Sequence, residues 1–369
     1  MTNVAPLFTR TRIGALDLPN RIAMAPMTRV RADVEGRVSA LTAEYYAQRA
    51  SGGLLITEAT QVMLNGKGGT GTPGIHSEDQ VTAWREVTDR VHGAGGRIFL
   101  QLWHTGRAAH PSFLPEGEEV VSASAIPIDG MVFTPAGRVP YATPRALSID
   151  EIPAYVEAHV TGARNAMAAG FDGVEIHGAN GYLIDQFLRD GSNSRTDAYG
   201  GSIENRARFL LEITQAIADA IGADRVAVRL SPTNPFQSMT DSDPAALFSY
   251  VAAQLAPMGL AYLHVMEPVA EAAMPDENGM LRTAPLLRAV FPGPLVLNGG
   301  YDAASAAAAI SEGRADLIAF GVKYLANPDL PERMRTGAPL NAPDVATFYT
   351  GGESGYADYP TLDALESAA

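Results

Sequence analysis

Gly173-Val174-Glu175-Ile176-His177-Gly178-Ala179-Asn180-Gly181-Tyr182 passes from small and apolar residues into a His, an Asn and a Tyr, punctuated by glycines. A short apolar run bounded by turn signals is the pattern of a parallel strand buried on both faces. Asn180-Gly181 closes it with a tight turn, so His177, Asn180 and Tyr182 stand at its C-terminal end. Parallel α/β sheets keep their polar chemistry at that end. Taken alone, His177 is equally well a hydrogen-bonded core histidine, and Tyr182 a helix cap. The flanking sequence has to separate these readings.

Runs of the same kind recur on both sides, at 22–27, 54–59 and 98–103 before it and at 226–230, 262–266, 295–297 and 317–320 after it. Helix-period segments lie between them, at 40–50, 79–92, 150–169, 202–221, 244–256, 284–291 and 303–311, with a last one around 331–334. Ser148-Ile149-Asp150-Glu151 and Ser202-Ile203-Glu204-Asn205 supply helix caps, and Gly95, Gly170, Gly222, Gly259 and Gly313 close helices. Repeated β-then-α units call for a parallel sheet with right-handed crossovers. Eight such strands close into a (β/α)8 barrel, the TIM barrel. Two doubly wound domains are the alternative. Against them, the first βα turn lacks a Gly-rich dinucleotide fingerprint and no linker of shifted composition divides the chain. Residues 1–369 therefore read as one barrel domain.

Bulk composition narrows the functions. The chain has 369 residues, 46% hydrophobic and 18% charged, enough for a large core. Its net charge of −14 argues against nucleic acid. Without cysteine there is no thiolate nucleophile, zinc–thiolate site or iron–sulfur cluster. Residues 1–8 lack a basic segment followed by an apolar run, and no apolar stretch reaches membrane-spanning length. A soluble cytoplasmic protein with no membrane partner is expected.

One interval, 105–148, has no helix signal. Val120-Val121-Ser122 and Arg138-Val139-Pro140-Tyr141 flank Asp129-Gly130, so a β-hairpin inserted after strand three is expected on the rim, as a lid, a channel wall or decoration. Beyond Arg335 regular signals thin out, and Tyr349, Gly351, Gly352, Gly355, Tyr356 and Tyr359 are expected to pack across the barrel.

The strand ends collect an informative set. Strand one ends in Pro26-Met27-Thr28, strand two in Glu58-Ala59-Thr60, and strand three offers Gln101, Trp103 and His104. Strand five offers Arg229 and Ser231, strand seven Asn298-Gly299-Gly300, and strand eight Gly321-Val322-Lys323. Thr, Gln and Arg can address a polar ring edge, and Ala leaves flat space. Glycines beside a helix start can bind phosphate through backbone N–H groups, as barrels commonly do after strands seven and eight. Gln101 or Arg229 alone would serve a structural bond as well; their agreement across strand ends favours a site.

These residues bring the chain to a family. Asn20-Arg21-Ile22-Ala23-Met24-Ala25-Pro26-Met27-Thr28-Arg29, His177-Gly178-Ala179-Asn180-Gly181-Tyr182-Leu183, the run from Asn193-Ser194-Arg195-Thr196-Asp197 to Ser202-Ile203-Glu204-Asn205-Arg206, and Asn327-Pro328-Asp329-Leu330 resemble the Old Yellow Enzymes. The resemblance, to the classical bacterial branch, extends from about Leu7 to Pro360. The 193–206 run is its most specific mark, and locally reads as a rim loop fixed by charge pairs.

The resemblance implies an NAD(P)H-dependent ene-reductase holding one non-covalent FMN, with no metal. Pro26, Met27, Thr28, Ala59, Gln101 and Arg229 would contact the ring, and the backbones of Gly300, Gly321 and Val322 the phosphate. His177 and Asn180 would clamp the oxygen of a small electrophilic alkene, and Tyr182 would donate a proton to its α-carbon. Trp103 and Tyr349 would line the substrate pocket. NADPH or NADH would use the same site in ping-pong fashion, through flavin N5, as a monomer or weak homo-oligomer. A permanent cation at Arg229 makes independent sense, because reduced flavin carries negative charge.

Two positions depart from the family pattern. Where relatives carry Arg after the strand-eight glycine, this chain has Val322 followed by Lys323, which leaves the phosphate charge to Lys323 or to backbone donors. Gly69 stands where some relatives have Tyr, which implies a roomier pocket. Three other readings stay open: a barrel acting mainly on nitro compounds or nitrate esters, a catalytically idle flavin binder, and a phosphosugar aldolase or isomerase using Lys67, Glu58 or Glu175.

Overall fold

The structure, a computed structural model, describes residues 3–267 and 283–368. Its centre is eight strands: β1 Ile22–Met24, β2 Leu54–Gln61, β3 Ile98–Trp103, β4 Gly173–Gly178, β5 Val226–Leu230, β6 Tyr262–Met266, β7 Leu295–Asn298 and β8 Leu317–Phe320. Each pairs in parallel with its sequence neighbours, and β8 returns to β1, so the sheet is a closed barrel. Val, Ile and Leu dominate because both faces of every strand are covered. The outer faces meet a ring of helices: α1 Ala40–Gln48, α2 Glu78–Gly93, α3 Ile152–Ala168, α4 Ile203–Ile221, α5 Pro244–Leu255, α6 Ala284–Val290, α7 Ala303–Ser311 and α8 Leu330–Thr336.

Element ends differ from expectation for identifiable reasons. β1 stops at Met24 because Pro26 cannot donate to a ladder. β2 runs on to Gln61 through a register shift between Ile56 and Ala59, where Thr57 Oγ1 accepts from Gln101 N at 3.1 Å. α3 begins at Ile152, with Glu151 as its N-cap and Pro153 in its first turn, and Ser148 does not cap it as expected: its N–H donates to the Glu151 carboxylate, which Arg145 also engages.

Two antiparallel strands escaped the sequence reading, Thr11–Ile13 and Leu16–Leu18. Their Ile13 and Leu18 pack with Ala23, Leu54, Phe99 and Tyr262 and plug the N-terminal end of the barrel. Gly14, at φ +47°, makes that fit: a Cβ there would lie 1.9 Å from Asp224 O.

The insertion between β3 and α3 corrects the expected hairpin. Met131–Thr134 pairs antiparallel with Gly137–Pro140, whereas Val121–Ser122 pairs in parallel with Arg145–Ala146. Asp129-Gly130 precedes the hairpin instead of turning it, because Asp129 N is held by Ser238 Oγ at 3.2 Å on the loop after β5.

The tail beyond α8 crosses the barrel as expected. Arg29 and Arg31, just past β1, donate to the carbonyls of Thr347, Phe348, Gly352, Ser354 and Gly355. Tyr356 stacks on Tyr45 with centroids 4.0 Å apart. Among the described residues, no helix is long and apolar enough to cross a membrane.

Candidate active site

The turn after β4 is held by the short helix that follows it, Leu183–Leu188. Asp185 Oδ2 accepts from Gly181 N at 2.8 Å, and Gln186 Nε2 donates to Gly181 O at 2.7 Å and to Thr105 O at 3.0 Å. Asn180 (φ 58°) and Gly181 (φ 76°) take left-handed conformations, which Asn and Gly tolerate best. A Cβ on Gly181 would meet Met239 Cγ at 2.8 Å. These fully buried polar partners were missed from sequence, because the helix that carries them is six residues long and shows no periodic signal. The rim loop is as expected: Arg195 pairs with Asp197 at 2.6 Å, and Ser202 Oγ caps α4 through Asn205 N.

A cavity of about 500 Å³ opens at the C-terminal ends of the strands. Pro26, Met27 and Thr28 line it from β1, Ala59 from β2, and Gln101 and Trp103 from β3. His177, Asn180 and Tyr182 enter from β4, Arg229 from β5, Val322 from β8 and Tyr349 from the tail. Gly300 and Gly321 stand outside this lining. Gln237, Val132 and Tyr141 also reach it, so the inserted hairpin contributes to the wall. Gly68 lines the cavity, and a Cβ there would strike the Trp103 ring at 2.1 Å; Gly69, expected to widen the pocket, stands outside the lining, and a Cβ on it would meet nothing within 4 Å.

Lys323 does not face the cavity. Its Nζ donates to Tyr301 O at 2.6 Å, so it supplies no charge to the lining and Val322 stands there half-exposed.

Several polar atoms in the cavity wall are buried without a hydrogen-bond partner: Trp103 Nε1, His177 Nδ1 and Arg229 Nε. Such orphans are costly unless a ligand meets them. Burial, then Arg229, pushes the His177 pKa well down, so the imidazole is neutral. Burial, reinforced by Tyr141 and Tyr349, pushes Tyr182 up to about 12, so its phenol keeps its proton. Asn180 Oδ1 accepts from Asn234 Nδ2 at 2.8 Å, which leaves its amide N–H groups for the cavity. Arg229 touches Asn298 Oδ1 at 3.3 Å and forms no ion pair among the described residues.

Arg229 narrows the class. The lining contains no Asp, Glu or Lys, so the wall offers neither a Schiff-base amine nor a carboxylate base. Lys67 donates to Val34 O, and Glu58 accepts from Arg29 N. A permanent cation without an ion-pair partner among the described residues, beside aromatic and amide groups, suits a redox ring that gains negative charge, and its orphaned Nε fits an acceptor on the edge of a flavin. The site is that of a flavin-dependent barrel oxidoreductase.

The comparisons agree. The chain belongs to the NADH:flavin oxidoreductase / NADH oxidase family, matched over residues 6–341. It is 47% identical to a probable flavin mononucleotide-dependent alkene reductase of Leishmania infantum, over 95% of this chain and 96% of that one. Its fold is similar to an old yellow enzyme homologue from Zymomonas mobilis (TM-score 0.92, 45% identity, 96% and 99% coverage). It is also similar to morphinone reductase in complex with tetrahydroNAD (TM-score 0.90, 46% identity, 97% and 98% coverage).

Proposed function

We propose that His177 and Asn180 hold the carbonyl or nitro oxygen of an electrophilic alkene while Tyr182 protonates its α-carbon. The enzyme is an FMN-dependent NAD(P)H oxidoreductase that reduces activated C=C bonds. One observation carries the clamp: Asn180 has its acceptor oxygen occupied by Asn234, so what it offers the cavity beside neutral His177 is a donor. Two neutral donors on one oxygen polarise a conjugated double bond without needing a charged state. Tyr182, protonated and packed against both Trp103 and His177, is placed to act as general acid.

FMN, when bound, supplies the hydride that it has taken from NADPH or NADH. Pro26, Met27, Thr28, Ala59, Gln101 and Arg229 hold its ring, and the backbones of Gly300, Gly321 and Val322 hold its phosphate. Trp103 and Tyr349 bound the substrate, with the inserted hairpin as channel wall. The 369-residue chain works as a single barrel unit in the cytoplasm, as a monomer or weak homo-oligomer, without nucleic-acid or membrane partners.

Purified protein should be yellow, bleach with NADPH in the absence of oxygen, and regain its absorption on adding cyclohexenone or maleimide. Colourless protein unable to take up FMN defeats the reading. So does a yellow protein whose reduced form no alkene reoxidises.

A further inference from the structure

Two residues before His177, and therefore on the same face of β4, Glu175 is completely buried in the barrel. The function proposed above gives it no task. Its carboxylate accepts from Gln101 Nε2 on β3 at 2.7 Å, and from Tyr262 Oη (3.0 Å) and His264 Nδ1 (2.9 Å) on β6. Arg229 stands on the adjacent strand β5, two residues beyond Ala227, the register partner of Glu175, and so on the same face. Burial alone would raise the carboxyl, but His264, Arg229 and the Gln101 amide outweigh burial and hold it below its ordinary value. A charge buried this deeply persists only where its surroundings compensate it, and here each oxygen has a donor.

Two consequences reach the cavity. An ionised carboxylate has only acceptor atoms, so Gln101 must turn its NH2 toward Glu175. Its carbonyl Oε1 is then the end left for the cavity that Gln101 lines. An amide without this partner could present either end, since its two ends differ only in hydrogen-bonding sense. Glu175 also supplies the carboxylate charge that acts on the Arg229 guanidinium. Its anion therefore offsets part of the positive field that Arg229 projects into the site.

We infer that Glu175 is a positioning residue for the flavin: it fixes Gln101 as an acceptor toward the pyrimidine edge and, by opposing Arg229, holds the reduction potential down. The inference rests on Gln101 and Arg229 flanking the flavin ring as proposed above.

The test measures the FMN dissociation constant and the two-electron midpoint potential of the holoenzyme for Glu175→Gln, Glu175→Asp and Gln101→Leu. Glu175→Gln removes the anion, so reduced flavin is favoured by about tenfold and the potential rises by about 30 mV. Glu175→Asp keeps the charge but draws the carboxylate back by one methylene. Its potential stays at the wild-type value while its FMN dissociation constant rises.

A folded Glu175→Gln holoenzyme with wild-type potential overturns the inference. If that variant gives no flavin-loaded protein, Glu175→Asp decides, and a wild-type dissociation constant overturns it. If neither folds while Gln101→Leu does, Glu175 is purely structural and the inference falls as well. Gln101→Leu separates the two levels. Unchanged FMN affinity there defeats the proposed flavin placement, whereas weakened affinity beside a silent Glu175→Gln defeats only the role of Glu175.

Discussion

Replacing Tyr182 by Phe removes one oxygen and leaves the packing intact. The ring is held edge-on by Trp103 and His177, each with centroids 5.0 Å away, and Phe keeps both contacts. What it loses is a proton bound tightly enough, by burial above all, that the phenol pKa is pushed up to about 12. A positioned general acid contributes about 10²–10⁴-fold. The alkene half-reaction should slow by that factor, about 3–5 kcal/mol of barrel-held transition-state stabilisation. Reduction of the flavin by NADPH needs no proton from this group and should keep its rate. Anaerobic stopped-flow absorbance follows the two half-reactions separately. The sign of the pH dependence follows from the same shift: a raised pKa keeps the donor protonated, and the donor is lost only as pH climbs toward about 12. The wild-type alkene step should therefore stay flat, on account of this group, across the neutral range. An unchanged alkene step in Tyr182→Phe, or slowing confined to flavin reduction, refutes the proton-donor role.

Three further outcomes are expected. Val322→Arg adds a guanidinium at a half-exposed cavity position that Lys323 does not serve; allowing for solvent screening, FMN should bind about tenfold more tightly, and an unchanged dissociation constant contradicts this. Glu58 is fully buried and its carboxyl is raised from 4.5 to about 7, first by burial, so the native state holds its proton more tightly than the unfolded chain. Stability should fall as pH rises between those values, by about 3 kcal/mol, and denaturant unfolding of Glu58→Gln should lack that slope. Arg206→Ala removes the charged partner of Asp241, which lies at 2.6 Å with 6% and 0% of the two side chains exposed, and leaves that carboxylate only the backbone N–H groups of Asp190 and Asp243; a loss of about 3 kcal/mol is expected in denaturant unfolding, and a loss below about 1 kcal/mol means that the backbone donors alone compensate the charge.

The barrel was legible in the sequence because parallel strands covered on both faces read as short apolar runs, and most of the eight end where polar residues or glycines begin. That rule placed Thr28, Ala59, Gln101, His177 and Arg229 around one cavity before any contact was known. It failed where pairing depends on distant chain. The inserted hairpin turns elsewhere than expected because Asp129 is pinned to Ser238, 109 residues away. Lys323, which the sequence offers beside backbone donors for the phosphate charge, donates to the Tyr301 carbonyl next to Gly300, a contact no local pattern announces. Glu175 in an apolar strand reads alike as a base, a stray charge or a structural group. Its partners Gln101, Tyr262 and His264 lie 74, 87 and 89 residues away and meet it only when the barrel closes. Local patterning and steric propensity therefore determined the strands and the residue types at their ends. Closure of the sheet decided which buried atoms have partners, and with that which donors remain for a ligand.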